Sequence, residues 1–282
     1  MAWKDMVNKA LGRVTGHKLV RTNDRSAPSS ATATKMPTSS QGKAWDTASG
    51  QPAKRSRSAF PKDYDAEVIR TIEAVRPWTM TSPEKLNALI LAVRYVAKHK
   101  IPGDIVECGV WRGGSMQATA RTLIEAGDTS RDLYLFDTFE GMPPPTEEDR
   151  RHDGQSAGEL LATKDKTSKL WAVATLDDVK DGMSRVGYPD TRVHYVPGLV
   201  EQTVPGEAPE QLSILRLDTD WYASTKHELE TLYPRLVSGG VLLIDDYGWW
   251  QGSRQAVDEF LDATDARLLL LRMGSGRIAV KP

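Results

Sequence analysis

Short apolar runs bounded by polar or glycine-rich stretches recur from residue 104 to the end of the chain, and they alternate with stretches whose apolar positions repeat every three to four residues. A short apolar run between turn signals predicts a strand buried on both faces, and the longer repeat predicts a helix with one buried face. The strands fall at about residues 104–109, 132–137, 192–197, 213–218, 241–245, 266–273 and 277–281. Strand and helix in alternation predict a parallel sheet. Gly274-Ser275-Gly276 joins the last two strands, so these predict an antiparallel hairpin.

Helix ends are marked in the same way. Ser82-Pro83-Glu84 reads as an N-cap serine with proline at the first helical position, followed by a stripe of Leu86, Leu89, Ile90, Val93 and Ala97 and a stop at Ile101-Pro102-Gly103. Thr225 and Glu228 have the spacing of a capping box for a helix lined by Leu229, Leu232, Tyr233, Leu236 and Val237, with Pro234 expected to kink it and Gly239-Gly240 to close it.

Three segments result. Residues 1–21 carry an amphipathic helix, with Trp3, Met6, Val7, Ala10, Leu11 and Val14 on one stripe and Lys4, Lys9 and Arg13 off it. A basic helix of this kind suits a membrane surface, but packing on its own domain or on a second subunit is the favoured reading. Residues 22–60 are rich in Ser, Thr, Ala, Pro and Gln and poor in large apolar residues, too little to offset the entropy of ordering; a disordered linker is expected. Residues 61–282 are the folded domain.

Charge adds a contrast that the net value of −1 hides. Residues 1–60 hold 11 Lys or Arg against 3 Asp and no Glu, leaving 26 basic against 35 acidic in the folded part. An acidic domain argues against a nucleic-acid partner. No apolar run reaches the roughly 20 residues needed to span a bilayer and no cleavable signal is visible, so a cytoplasmic protein is expected. The single cysteine, Cys108, excludes an intrachain disulfide and reads as a buried small apolar side chain. The five histidines, at 17, 99, 152, 194 and 227, have no ligand spacing; His152 reads as a solvated loop residue.

Candidate chemistry gathers where strands end. Ser213-Ile-Leu-Arg-Leu-Asp218-Thr-Asp220 and Val241-Leu-Leu-Ile-Asp245-Asp246 each finish in carboxylates, at the sheet edge where α/β proteins bind ligands. Crowded carboxylates raise one another's pKa unless a cation sits among them, and a hard divalent ion such as Mg²⁺ is the simplest candidate. Solvated strand ends are the plain alternative. The first strand runs through Glu107, Gly109, Trp111, Gly113 and Ser115 into a helix, so glycines permit a close backbone approach at a helix N-terminus. Its G-x-x-x-G-G spacing departs from the G-x-G-x-x-G of dinucleotide binders and suits the amino-acid end of S-adenosylmethionine better. Asp137, 24 residues after Gly113, ends the second strand where an acid commonly accepts ribose hydroxyls. Val196-Pro197-Gly198-Leu199-Val200 is either an adenine contact or an ordinary strand-to-helix turn.

With these motifs in place the chain resembles the macrocin O-methyltransferase (TylF/MycF/NovP) family of sugar O-methyltransferases. The resemblance runs from about Arg76 to the end, through Pro77-Trp-Thr-Met-Thr-Ser-Pro-Glu84, Ile105-Val-Glu-Cys-Gly-Val-Trp-Arg-Gly-Gly-Ser115, Phe136-Asp-Thr-Phe-Glu-Gly-Met142, Leu217-Asp-Thr-Asp220 and Ile244-Asp-Asp-Tyr247. It implies a Rossmann-like class I S-adenosylmethionine-dependent methyltransferase, with a seven-stranded, mostly parallel sheet and a C-terminal antiparallel hairpin. It implies Mg²⁺ on Asp218, Asp245 and Asp246, with Asp220 as general base or else a further ligand or a support for the ligands. Glu107, Gly109, Trp111, Gly113, Ser115, Asp137 and Gly198 would contact the cofactor. Met80, Met142, Trp221 and Tyr247 are candidates for contact with a glycosylated small-molecule acceptor, and residues 139–161 for a wall or lid. Trp221-Tyr222 and Trp249-Trp250 suit an aromatic rim or core packing equally. A homodimer is implied.

Two rivals have features behind them. Tyr222-Ala-Ser-Thr-Lys226 has the Tyr-x-x-x-Lys spacing of NAD-dependent short-chain dehydrogenases, but the glycine spacing is wrong and Asp245-Asp246 is left without a role. A non-catalytic S-adenosylmethionine-binding scaffold recruited through the basic helix is the other, and the intact carboxylates argue against it.

Overall fold

The structure, a computed structural model, describes residues 60–282. The expected N-terminal helix and almost all of the expected linker lie outside the described residues. In chain order the helices are α1 (Ala66–Val75), α2 (Pro83–Lys98), α3 (Gly114–Ala126), α4 (Ala157–Ala162), α5 (Leu176–Ser184), α6 (Val200–Glu207), α7 (Tyr222–Leu232) and α8 (Gln251–Ala263). The strands are β1 (Asp104–Cys108), β2 (Leu133–Asp137), β3 (Val193–Pro197), β4 (Leu212–Leu217), β5 (Leu236–Ile244), β6 (Leu271–Met273) and β7 (Gly276–Val280). They form one seven-stranded sheet in the order β3-β2-β1-β4-β5-β7-β6. The first five strands are parallel, and β7 and β6 are antiparallel, as the hairpin predicted.

Strand periodicity decides what each face buries. Ile105, Leu133, Leu135, Ile214, Val241 and Leu243 face a cluster with Leu89 and Val93 of α2 and Met116 and Leu123 of α3. The alternate residues Val106, Cys108, Phe136, Leu215, Leu242 and Ile244 face Val204 of α6, Leu229 and Leu232 of α7 and Phe260 of α8. Helices therefore cover both faces of a sheet whose central strands are mostly apolar, with Glu107, Ser213 and Arg216 the buried polar exceptions. The same parity has a consequence for function: Glu107 is in register with Arg216, and both follow the residues that face α2.

Several local expectations are corrected. The α7 capping box does not form: Trp221 is the N-cap and has no side-chain cap bond, Thr225 lies inside the helix, and Glu228 is buried. Helix α7 stops at Leu232, so Pro234 sits in a 3₁₀ turn, Tyr233–Arg235, instead of kinking a longer helix. Gly239 and Gly240 fall inside β5, which begins at Leu236; Leu212 pairs with Leu236 and Ile214 with Val241, so the extra residues bulge out and Gly239 takes φ +80°. The sixth strand is only Leu271–Met273, because a local Leu268 N–H to Ala266 O bond turns the preceding chain out of the ladder. Helix α1 carried readable signals, an Asp65 cap accepting from the Glu67 and Val68 amides and a Val68, Ile72, Val75 stripe. Among the described residues no helix is long and apolar enough to cross a membrane.

One glycine fixes the join between β1 and β4. Gly109 has φ +80°, and a Cβ there would run into the Asp218 carbonyl, whose residue donates its amide to Cys108 O at 2.8 Å. Gly109→Ala is therefore expected to cost about 3 kcal/mol or more, read as a fall in urea midpoint at unchanged slope. A midpoint within experimental error of the parent would show that the two strand ends can separate freely.

Candidate functional site

The C-terminal ends of β1, β2, β4 and β5 open into a cavity of about 480 Å³. That lies within the range of small-molecule sites, roughly 300–1,000 Å³. Gly109, Val110, Trp111 and Ser115 form one side, Gly198 to Glu201 another, and Asp218 to Asp220 with Asp245 and Asp246 the floor. Thr79 to Thr81, Met142, Trp249 and Trp250 complete the wall.

The loop from β1 into α3 is held in shape by Asp137. Its Oδ2 accepts from the Val110 and Trp111 amides at 2.8 and 3.0 Å, and its Oδ1 from the Phe139 amide at 2.7 Å. These bonds hold Trp111 and Phe139 at φ +47° and +54°, a conformation that side chains disfavour. Gly113, at φ +76°, caps α3 without a side chain. The amides at that helix start are the ready partners for an anion.

Below the floor lies a buried charge network. Arg216, with a side chain 3% exposed, donates through Nη1 to Glu107 and to Asp218 Oδ2 (2.6 Å), and through Nη2 to Asp245 Oδ1 (2.6 Å) and Thr81 Oγ1 (3.2 Å). Lys85, from the first turn of α2, donates to Asp245 O at 2.9 Å and also to Asp245 Oδ2. Carboxylate oxygens of Asp218, Asp220 and Asp246 lie within 4.8 Å of one another, and the buried Asp246 Oδ2 has no hydrogen-bond partner. Five carboxylates thus share two cations, an excess of three negative charges when all are ionised.

The electrostatics follow from that excess. Burial, reinforced by the charges of Asp218 and Asp245, pushes Asp220 from 3.8 to about 7. Burial likewise carries Glu107 to about 7 in spite of Arg216. Asp246 is driven well up by burial and then by its neighbours Asp220 and Asp245. Burial works to raise Asp245 too, but Arg216 and Lys85 together hold it below its ordinary value. Burial works against the Lys85 charge, and Asp245, Asp246 and Asp218 outweigh it, so the ammonium stays protonated. Asp220 is also held at φ +71°, in the left-handed region that asparagine and aspartate tolerate best.

Residues 26–271 match the macrocin-O-methyltransferase (TylF) family. The chain belongs to that family. It is 36% identical over 182 residues to the 8-demethyl-8-(2,3-dimethoxy-alpha-L-rhamnosyl)-tetracenomycin-C 4'-O-methyltransferase of Streptomyces olivaceus, covering 64% of this chain and 67% of that one. It is 35% identical over 185 residues to the mycinamicin III 3''-O-methyltransferase of Micromonospora griseorubida, covering 65% and 70%. Among solved structures, the O-methyltransferase NovP superposes with a TM-score of 0.63 at 30% identity, over 72% of this chain and 82% of that one. A calicheamicin methyltransferase shares the fold, with a TM-score of 0.55 at 20% identity over 80% and 99%. The fold is that of class I S-adenosylmethionine-dependent methyltransferases, and the chain is an O-methyltransferase. The family match begins at residue 26, well before the Arg76 at which the sequence motifs start.

In this macrocin O-methyltransferase family member the cavity gathers Gly109, Trp111, Ser115, Asp137, Gly198, Asp218, Asp220, Asp245, Asp246, Met80 and Met142, as the sequence grouped them. Glu107 and Gly113 lie outside its wall: Glu107 is buried against Arg216, and Gly113 turns the chain into α3. The acceptor contacts expected of Trp221 and Tyr247 are corrected. Trp221 is buried, packs at 5.0 Å against Trp250 and donates Nε1–H to Pro143 O at 2.9 Å. Tyr247 gives its hydroxyl to Asp258 at 2.7 Å and lies under the Arg277 guanidinium. Of the aromatic pairs, Trp249 (43% exposed) and the buried Trp250 reach the cavity. The dehydrogenase-like pair is also outside it, with Tyr222 bonded to Glu259 and Lys226 beside it on the outer face between α7 and α8.

Residues missed by the sequence reading hold the site together. Lys85 lies four before Leu89 on the buried stripe of α2, and Arg216 interrupts an apolar strand; both positions were signals of buried anions. Asp149, in the expected lid, accepts from the Tyr222 amide at 2.8 Å and from Thr146, so it caps α7 from a distance and ties residues 146–149 to the loop carrying Asp220. Nothing in its local sequence marks that role.

The raised carboxylates set a pH dependence. Asp220 and Glu107 bind protons in the folded chain up to about pH 7 but in the unfolded chain only to about pH 4, so folding takes up protons between these limits. Their stabilising effect is complete below about pH 4 and is lost as pH rises through 7. Asp65 and Asp153, lowered to about 2 chiefly by hydrogen bonds from Arg94 and Arg151, are ionised in both states across that window and leave it unchanged. In EDTA the melting temperature is therefore expected to be higher at pH 5.5 than at pH 8. The opposite order in differential scanning calorimetry would mean that the carboxylates are ionised and matched by charge in the folded protein.

Proposed function

We propose that this enzyme moves a methyl group from S-adenosylmethionine to a hydroxyl of a sugar carried on a glycosylated small molecule, with Mg²⁺ at the acidic floor. The observation that carries the reading is the convergence of Asp218, Asp220 and Asp246 within 4.8 Å at the cavity into which the β1–α3 glycine loop opens. Hard carboxylate donors, an orphaned buried Asp246 Oδ2 and an excess of three negative charges once all five carboxyls ionise fit a divalent cation. Asp218, Asp245 and Asp246 would hold it, as the family resemblance implies; the cluster within 4.8 Å has Asp220 in place of Asp245, whose oxygens are taken by Arg216 and Lys85. Bound there, the ion supplies Lewis-acid stabilisation of negative charge on the acceptor oxygen.

The chain's own groups do the rest. Ser115, the α3 amides and Gly109 suit the amino-acid end of the cofactor, and Gly198 to Glu201 its adenine. Asp137 already accepts from three backbone amides and, at 3.5 Å, from the Thr138 hydroxyl, so its first role is to shape the loop, and a ribose hydroxyl would have to replace the weak Thr138 bond. The acceptor hydroxyl oxygen attacks the methyl carbon, the carbon–sulfur bond breaks with its electrons passing to sulfur, and Asp220 takes the hydroxyl proton. Met80 and Met142, with Trp249 and Trp250, give an apolar wall for the rest of the acceptor, and Met80 is 47% exposed.

Asp220→Asn is expected to lower turnover of a glycosylated acceptor about 100-fold or more while S-adenosylhomocysteine binding, measured by calorimetry, stays within about threefold. Turnover equal to the parent's would remove Asp220 from the proton-accepting role. EDTA should abolish turnover and Mg²⁺ restore it. Calorimetric binding of NAD in place of S-adenosylhomocysteine would overturn the cofactor assignment.

A further inference from the structure

Asp245 is the residue of the acidic floor whose two carboxyl oxygens are both taken by cations. Arg216 holds Oδ1 at 2.6 Å from inside the sheet. Lys85 holds Oδ2 from the cavity side, and it also bonds the Asp245 carbonyl at 2.9 Å. The lysine is placed for this by the start of α2, where Ser82 Oγ accepts the Lys85 amide at 3.3 Å and Pro83 opens the helix. Its side chain is 10% exposed. Arg216 is committed to Glu107 and Asp218 as well, whereas the Lys85 ammonium contacts Asp245 and lines the cavity.

We propose that Lys85 is a tethered competitor of the divalent cation, a monovalent charge occupying the oxygen of Asp245 that the ion would use, and that it thereby sets how tightly the ion binds. The inference rests on the Mg²⁺ reading above. An incoming ion must displace the ammonium from Oδ2 or bind a few ångströms from it, and a like charge at that distance opposes binding strongly in a partly buried site. The tether makes the competition permanent, since the ammonium leaves its carboxylate without leaving the protein. Without it, the acidic floor retains Arg216 as its stabilising cation but holds one more uncompensated negative charge and a free ligand oxygen.

The test is Mg²⁺ titration of the full chain by isothermal calorimetry at pH 7.5, with Mn²⁺ detected by electron paramagnetic resonance as a second probe. Lys85→Met is expected to bind either ion about tenfold more tightly or better. Lys85→Arg, which keeps the charge, should stay within about threefold of the parent. Lys85→Gln keeps a donor for Asp245 without charge and should follow the Met variant, so it decides the matter if Met at 85 fails to fold by circular dichroism. Affinity equal to or weaker than the parent's in the neutral variants, with the parent binding normally, would overturn the competitor role and leave the metal reading standing. If neither the parent nor the neutral variants bind Mg²⁺ or Mn²⁺, both fall.

Discussion

The guanidinium of Arg216 is what the C-terminal edge of this sheet depends on. It is buried between β1 and β5 and bonds Glu107, Asp218 and Asp245, so three strand ends share one charge. Removing one member of such a network leaves an uncompensated buried charge, which costs about 3–5 kcal/mol, far more than a surface pair returns. Strand parity makes the network inevitable once the register is set. Glu107 and Arg216 are paired residues on the α2 side of neighbouring strands, and Asp245 follows the β5 residues on that same side. The start of α2 lies above them and contributes Thr81 and Lys85.

Around that network the backbone is held in conformations it would not choose. Trp111, Phe139 and Asp220 all have positive φ, and all three belong to loops at the cavity or its rim. The first two are held by one carboxylate, Asp137, through backbone amides. For Asp220 the restraint comes from both sides: the Trp221 amide bonds back to Thr219 O at 2.9 Å, and Thr219 Oγ1 donates to the buried Glu228 at 3.2 Å. Strain of this sort survives only where surrounding structure over-determines it; here Trp111 and Asp220 line the cavity, while Phe139 packs into the core behind it.

The fold was legible because the central strands are mostly apolar on both faces and end in acids or glycine, a pattern that local sequence carries by itself. Asp218, Asp220, Asp245 and Asp246 were legible for the same reason. What escaped was fixed by contacts distant in sequence. Glu228 looks like a capping residue until α7 is seen to begin at Tyr222 and turn that carboxylate inward toward Thr219. Lys85 sits on a buried stripe that signals a buried anion, but which anion it meets is fixed only by a partner 160 residues away. Trp221 and Trp250 show the converse: aromatics beside an acidic motif suited a rim or core packing equally, and these two are both buried and pack edge to face on each other, while Trp249 stands well out of the core.

The imbalance of five carboxylates against two cations is also why the site is suited to reversible binding of a positive ligand. A fully paired network would be stable but inert, and a fully unpaired one would repel itself out of the folded state. Arg216 neutralises the layer nearest the strands, where water is excluded. The carboxyls of Asp220 and Asp246 lie one layer outward at the cavity, where burial and their neighbours raise the pKa of both, so they hold protons that an incoming cation would displace. S-adenosylmethionine carries a positive sulfonium, so the residual negative potential favours it, as it would the divalent cation proposed above, and methyl transfer removes the sulfonium charge from the site. Electrostatics therefore attract the reactant state of the cofactor more than its neutral thioether product, which follows directly from leaving the floor underneutralised.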